Sequence, residues 1–140
     1  CDLRLLFHGS VILLVSQLAG YVFLRAIAAK QQDAVRTGMW RMAHAASSAG
    51  AVFLIACSPI VSQLRLSASS LQWLVALFIV STYGLCLGTV VAGFSGHRGV
   101  RLALPWPNLL ACLLYLIGVL GSTVAGAMFF YGATRAYLQF

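Results

Sequence analysis

Three histidines and four cysteines are the side chains in this 140-residue chain best suited to holding a metal or moving a proton. His97 stands beside Arg98 in the polar stretch SGHRG and reads as a solvated histidine. His8 and His44 stand in apolar runs. An imidazole buried in such a run needs a hydrogen-bond partner or a ligand, so each is either a packing residue or a metal ligand. The two do not converge on one metal if their runs are antiparallel helices, because their levels then differ by roughly 20 Å at 1.5 Å per residue. Cys57, Cys86 and Cys112 also lie in apolar runs, where a thiol behaves as a small hydrophobe. No CxxC or CxxCH occurs, which argues against an iron–sulfur centre or covalently attached haem. Cys1 allows two readings, the lipid-modified first residue of a processed lipoprotein or a chain that begins upstream. No lipobox is visible, and the second is the expectation.

The elements that position these residues follow from composition. Apolar residues make up 61% of the chain and charged residues only 8%, far too little charge to cover a soluble domain. Four apolar runs, each long enough for a hydrocarbon crossing of about 20 residues, predict spans near residues 5–28, 39–64, 71–94 and 109–131 of a single membrane domain. Helices are the only form that satisfies the backbone of such runs in lipid. The expected fold is therefore all-α, a four-helix transmembrane bundle. The first span is too long for a signal peptide and shows no small-residue cleavage site. Its interruptions are small or polar: His8, Ser10, Ser16, Gln17 and Gly20. The second is the least apolar, with His44, Ser47, Ser48 and Ser58, and Pro59 is expected to kink its last turns. In the loop SGHRGVRLALPWP, glycines, prolines and Trp106 mark an interfacial crossing.

Six of the nine basic residues flank the first and third linkers: Arg25, Lys30, Arg36, Arg41, Arg98 and Arg101. Arg4, Arg65 and Arg135 flank the other face. The positive-inside rule then places both termini on the non-cytoplasmic side. The net charge of +7 is spread over both faces and reads as contact with the anionic headgroups of a lipid bilayer. Nothing resembles a nucleic-acid-binding motif. Small residues recur along the second span (Ala43, Ala46, Ser47, Gly50, Ala51), in the Gly84–Gly88 pair of the third, and in the fourth (Gly118, Gly121, Ser122, Ala125, Gly126). Such faces let helix backbones approach closely in lipid, and a groove lined by them also suits a flat ligand.

Four points along the chain carry a family resemblance: His8-Gly9 opening the first span, Trp40-Arg41-Met42-Ala43-His44 in the second, Arg98-Gly99 after the third, and Tyr115-Leu116-Ile117-Gly118-Val119-Leu120 in the fourth. In these residues and their spacing the chain resembles the styrene oxide isomerases, small four-span membrane proteins that convert an aromatic epoxide to an aldehyde. The resemblance implies a homotrimer with haem b between protomers and His44 as the axial iron ligand. Trp40, Ser47 and Gly50 are then expected beside the cofactor. It also implies ferric iron as the Lewis acid, a hydride shift with no net redox change, and an apolar pocket that excludes water.

The same resemblance marks a departure. The family's enzyme carries an asparagine where this chain has Gly50, an aspartate where it has Ser81, and a tyrosine where it has Thr89. Tyr83 is near those positions but on another face of its helix. His8, Ser81, Tyr83 and Thr89 are accordingly secondary site candidates. Two functions are expected to compete. One is isomerisation of a small apolar epoxide to a carbonyl compound, an intramolecular oxidoreductase reaction. The other is a haem-binding or structural subunit without catalysis, serving electron transfer, sensing or assembly.

Overall fold

Aspartate and serine caps set where three of the four helices begin. The computed structural model describes residues 1–29 and 33–138. Asp2 caps α1 (Leu3–Ala28), its side chain accepting from the Arg4 N–H. Asp33 caps α2 (Ala34–Ile60) in the same way through Arg36. Ser67 caps α3 (Ala68–Ser95) through Ser70. Each satisfies an amide that the first helical turn leaves without a partner. α4 (Trp106–Tyr137) begins at a proline, whose missing N–H costs nothing there. α3 ends on Gly96 at φ 71°, the left-handed closure that glycine adopts without strain. Pro59 lies in the last turn of α2, after which the chain tightens into a 3-10 turn over Val61–Gln63.

All four helices are long and apolar enough to cross a membrane, and the chain folds as an all-α, four-span bundle. The helices mostly outrun the apolar stretches that announce them, although α2 ends at Ile60, four residues short of Leu64. α2 starts five residues before the run at Met39, and α4 continues six residues past Tyr131. Hydropathy marks the part of a helix that lies in hydrocarbon, whereas caps decide where the helix stops. His44 consequently sits nearly three turns from the start of α2, not one turn as the apolar run suggests. Lys30, counted with the first basic linker, lies outside the described residues.

The helices run up and down. At one end the Asp2 N–H donates to the Ser58 carbonyl at 2.8 Å, and the Arg65 N–H to that of Gly132 at 3.4 Å. At the other, Trp40 near the start of α2 meets Phe94 near the end of α3, edge to face at 4.8 Å. α2 packs on α1 and α3, α3 packs on α2 and α4, and α1 touches α3 lightly. This order leaves a groove between α2 and α4 with α3 as its floor. Large side chains are turned outward, such as Leu14 and Leu18 of α1, each about two-thirds exposed. Alanine, glycine and serine fill much of the inside. That inversion is what a lipid environment permits, since it gives apolar side chains no reason to hide.

Candidate functional site

His44 is held from the α1 side. Its Nδ1 lies 2.9 Å from the Ser16 carbonyl oxygen and 3.1 Å from Ser16 Oγ. The Ser16 hydroxyl has one proton, which it donates to the His44 carbonyl oxygen at 3.1 Å. It accepts in turn from the Ser48 hydroxyl at 2.6 Å. A carbonyl oxygen only accepts, so Nδ1 carries the ring proton and the neutral imidazole keeps its lone pair on Nε2. The tautomer is assigned from this network. Among the described residues Nε2 has no hydrogen-bond partner, and the residue is half-buried. Gly20 makes the seat possible: a Cβ there would stand 2.9 Å from His44 Nδ1. A donated Nδ1–H and a bare Nε2 are the arrangement that orients a metal-ligating histidine.

The other site candidates divide between three places. Trp40 is buried, packed with Ala19 and Ala43, and stacked against Gly93. It acts as a post between α1, α2 and α3. Ser47 is fully buried and shares a 2.9 Å contact with Cys86 Sγ, a link between α2 and α3. His8 is hydrogen-bonded to Tyr83 at 3.2 Å, which joins α1 to α3 away from His44. The two spanning histidines thus have separate partners, as their levels require. His97 folds onto its own loop, with Nδ1 3.0 Å from the Ser95 carbonyl oxygen.

Gly50, Ser81 and Thr89 come together along the groove between α2 and α4. One lobe, about 500 Å³, is lined by Gly50 and Ser81 among Phe53, Phe78 and Phe129. A second lobe of about 670 Å³ reaches past Thr89 and Tyr115 to Arg41 and Arg98 at the end formed by the first and third linkers. Ala46 and Leu85 border both lobes. The groove presents little polarity. Ser81 donates to the Phe78 carbonyl at 3.1 Å, and Thr89 to those of Cys86 and Leu85 at 2.8 and 3.2 Å, so both protons are held by their own helix.

His44 does not face this groove. Six residues separate it from Gly50, which is about 120° around the helix and about 9 Å along it. The ring turns toward α1, whereas Gly50 borders the α3–α4 side. Sequence reasoning missed the residues that prepare the imidazole, namely Ser16, Gly20 and Ser48. The available signal was a polar residue at Ser16 four positions before Gly20, and Ser48 one turn beyond His44.

No three His, Cys, Asp or Glu side chains converge among the described residues. A single prepared imidazole would suit a metal that brings its remaining donors with it, as a porphyrin does. Fold and site together define a small multi-pass membrane protein with one imidazole poised at a helix seam and an apolar groove on the opposite flank of the same helix. The family model for styrene oxide isomerase matches residues 1–134, and the chain belongs to that family. No curated protein and no solved structure matches the chain.

Proposed function

We propose that the chain binds haem b through His44 Nε2 at the contact between copies of a homotrimer, and that it isomerises a small apolar epoxide to a carbonyl compound. The observation that carries this reading is the Nδ1–H bond to the Ser16 carbonyl, which leaves Nε2 of this half-buried residue without a partner among the described residues. The separation of His44 from the groove supports an assembly. One copy offers the imidazole, and the groove of the next closes over the same space. Haem supplies a ferric Lewis acid when bound. The residues do the rest. Ser16 and Gly20 fix the ring, and Ser48 orders the Ser16 hydroxyl. Phe53, Phe78 and Phe129 would keep water from the substrate carbon on which positive charge develops as its C–O bond breaks, and Gly50 leaves room for the substrate.

One observation favours a second reading, haem binding without catalysis. Gly50 has no side chain, and Ser81 and Thr89 donate to their own helix, so none of these three positions offers a free donor to orient an epoxide. Each missing hydrogen bond in a buried site is worth roughly 1–3 kcal/mol, or about ten- to a hundredfold in rate. The deciding experiment takes the purified protein with haem fully bound. It is incubated in the ferric state with styrene oxide and with aliphatic and terpene epoxides, and products are read by gas chromatography. Aldehyde or ketone that disappears on reduction and in His44→Ala upholds isomerisation. No product from any epoxide leaves the second reading. A Soret band unchanged in His44→Ala rejects the ligand assignment itself.

A further inference from the structure

Two arginines end the groove, and among the described residues no carboxylate pairs with them. The sequence holds two acidic residues, Asp2 and Asp33. Asp2 is paired with Arg4 at 2.8 Å, at the opposite end of the bundle. Asp33 accepts from the Arg36 N–H at 2.9 Å as the cap of α2. Among the described residues neither Arg41 nor Arg98 has an ion-pair partner. Both border the lobe that Thr89 and Tyr115 line. Arg41 also borders the cleft between α1 and α2, on the flank to which His44 turns. It therefore stands at the rim shared by the two surfaces that an assembly would bring face to face. Stacking copies there concentrates unpaired positive charge beside an apolar groove, which is unfavourable without an anion.

We propose that Arg41 and Arg98 bind the two propionate carboxylates of the haem. The inference rests on the reading of His44 as iron ligand and adds which residues take the polar edge of the cofactor. Arg41 lies three residues before His44, about 4.5 Å nearer the basic end. Rotation about an axis along the membrane normal preserves that height, so the arginines of a neighbouring copy stand just beyond the level of the imidazole. Haem is apolar on both faces and carries two carboxylates on one edge, matching an apolar groove closed by two guanidinium forks. The guanidinium matches a carboxylate through paired N–H donors. An anionic lipid headgroup offers a similar charge, and the test separates the two sources.

The full chain, expressed without haem and purified in nanodiscs, is reconstituted with haem b and, in parallel, with haem dimethyl ester. The ester keeps the iron and ring but lacks the carboxylates. Release to apomyoglobin is followed at the Soret band. Wild type is expected to hold haem b more tightly than the ester. Arg41→Gln and Arg98→Gln each raise haem b release about tenfold, the scale of a lost charge-assisted bond. The double variant treats haem and ester alike, while Arg65→Gln at the opposite end changes neither. A double variant that still prefers haem b as wild type does overturns the proposal. So does an effect of the arginines that appears only in nanodiscs containing anionic phosphatidylglycerol, since they would then serve lipid. Loss of the Soret band in His44→Ala with unchanged ester discrimination in the double variant sinks the arginine assignment alone. Haem retained by His44→Ala sinks the ligand reading beneath it.

Discussion

The seam between α1 and α2 and the seam between α3 and α4 are built on different physics. The first carries hydrogen bonds at one end and in its middle, set among apolar contacts of Leu5, Ile12, Ala51 and Leu54. Ser58 joins it to the start of the chain, donating to the Asp2 carbonyl at 2.9 Å. Ser16, Ser48 and His44 form the network described above in the middle. The second seam is dry. A Cβ on Gly84 would stand 2.8 Å from the Leu114 carbonyl oxygen and 3.0 Å from the Gly118 backbone nitrogen. On the Gly88 side the Tyr115 ring would be met at 2.7 Å. The Tyr115 hydroxyl is buried without a partner. Hydrogen bonds set the rotation of α1 against α2 and so aim an imidazole. Backbone approach sets how close α3 and α4 lie and so shapes a groove. Orientation of a ligand and width of a cavity are separate problems, and the bundle solves each on its own seam.

Substituting Gly20 tests the first seam at its weakest point and has the largest expected effect. In Gly20→Leu the new side chain occupies the space of the His44 ring, which would sit under 3 Å from the added Cβ. Haem binding is expected to be lost as completely as in His44→Ala, read as a missing Soret band, while far-UV circular dichroism keeps its helical signature. Retained haem would mean that His44 does not need this seat.

Gly84→Ala attacks the second seam. The added methyl meets backbone, which cannot swing aside, so overpacking of about 2–3 kcal/mol is expected. Unfolding in mixed micelles with a rising fraction of denaturing detergent measures it. Haem stoichiometry should hold under conditions where the fold does, because the imidazole lies on the other seam. A change at Gly84 that removes haem outright would erase the contrast between the seams.

Ser16→Ala removes a hydroxyl but leaves the carbonyl that receives the Nδ1 proton. A loss of about 1 kcal/mol is expected, with the Soret band kept. The smallest effect belongs to Tyr115→Phe. Removing a buried hydroxyl that has no partner should leave stability within about 0.5 kcal/mol of wild type or raise it. A clear loss would show that the hydroxyl has a partner and that the second seam is not dry.

Four apolar runs, their order and the basic linkers were readable from composition and hydropathy alone, since lipid admits only helices at that length. His8 and His44 stood out because an imidazole in hydrocarbon needs a partner, and only the family resemblance singled out His44. Gly50, Ser81 and Thr89 were reached only through a family resemblance, and nothing in their types says that they share a groove. Helix faces were not legible. In a soluble bundle the buried stripe is the apolar one, but here outward-facing residues such as Leu18 and Leu120 are as apolar as the core. The periodicity that would mark an inner face is therefore flat.

The sequence by itself determined the membrane fold, the small residues that let helices close up, and the scarcity of acid among nine basic residues. Only the tertiary structure decided that His44 turns toward α1, that the Ser16 carbonyl takes its Nδ1 proton, and that the groove opens on the other flank of α2. These outcomes depend on the rotation of each helix about its axis. Lipid leaves that rotation undetermined by hydrophobicity, so it is set by a few contacts between residues distant in sequence, Ser16 with His44 and Gly84 with Gly118 among them.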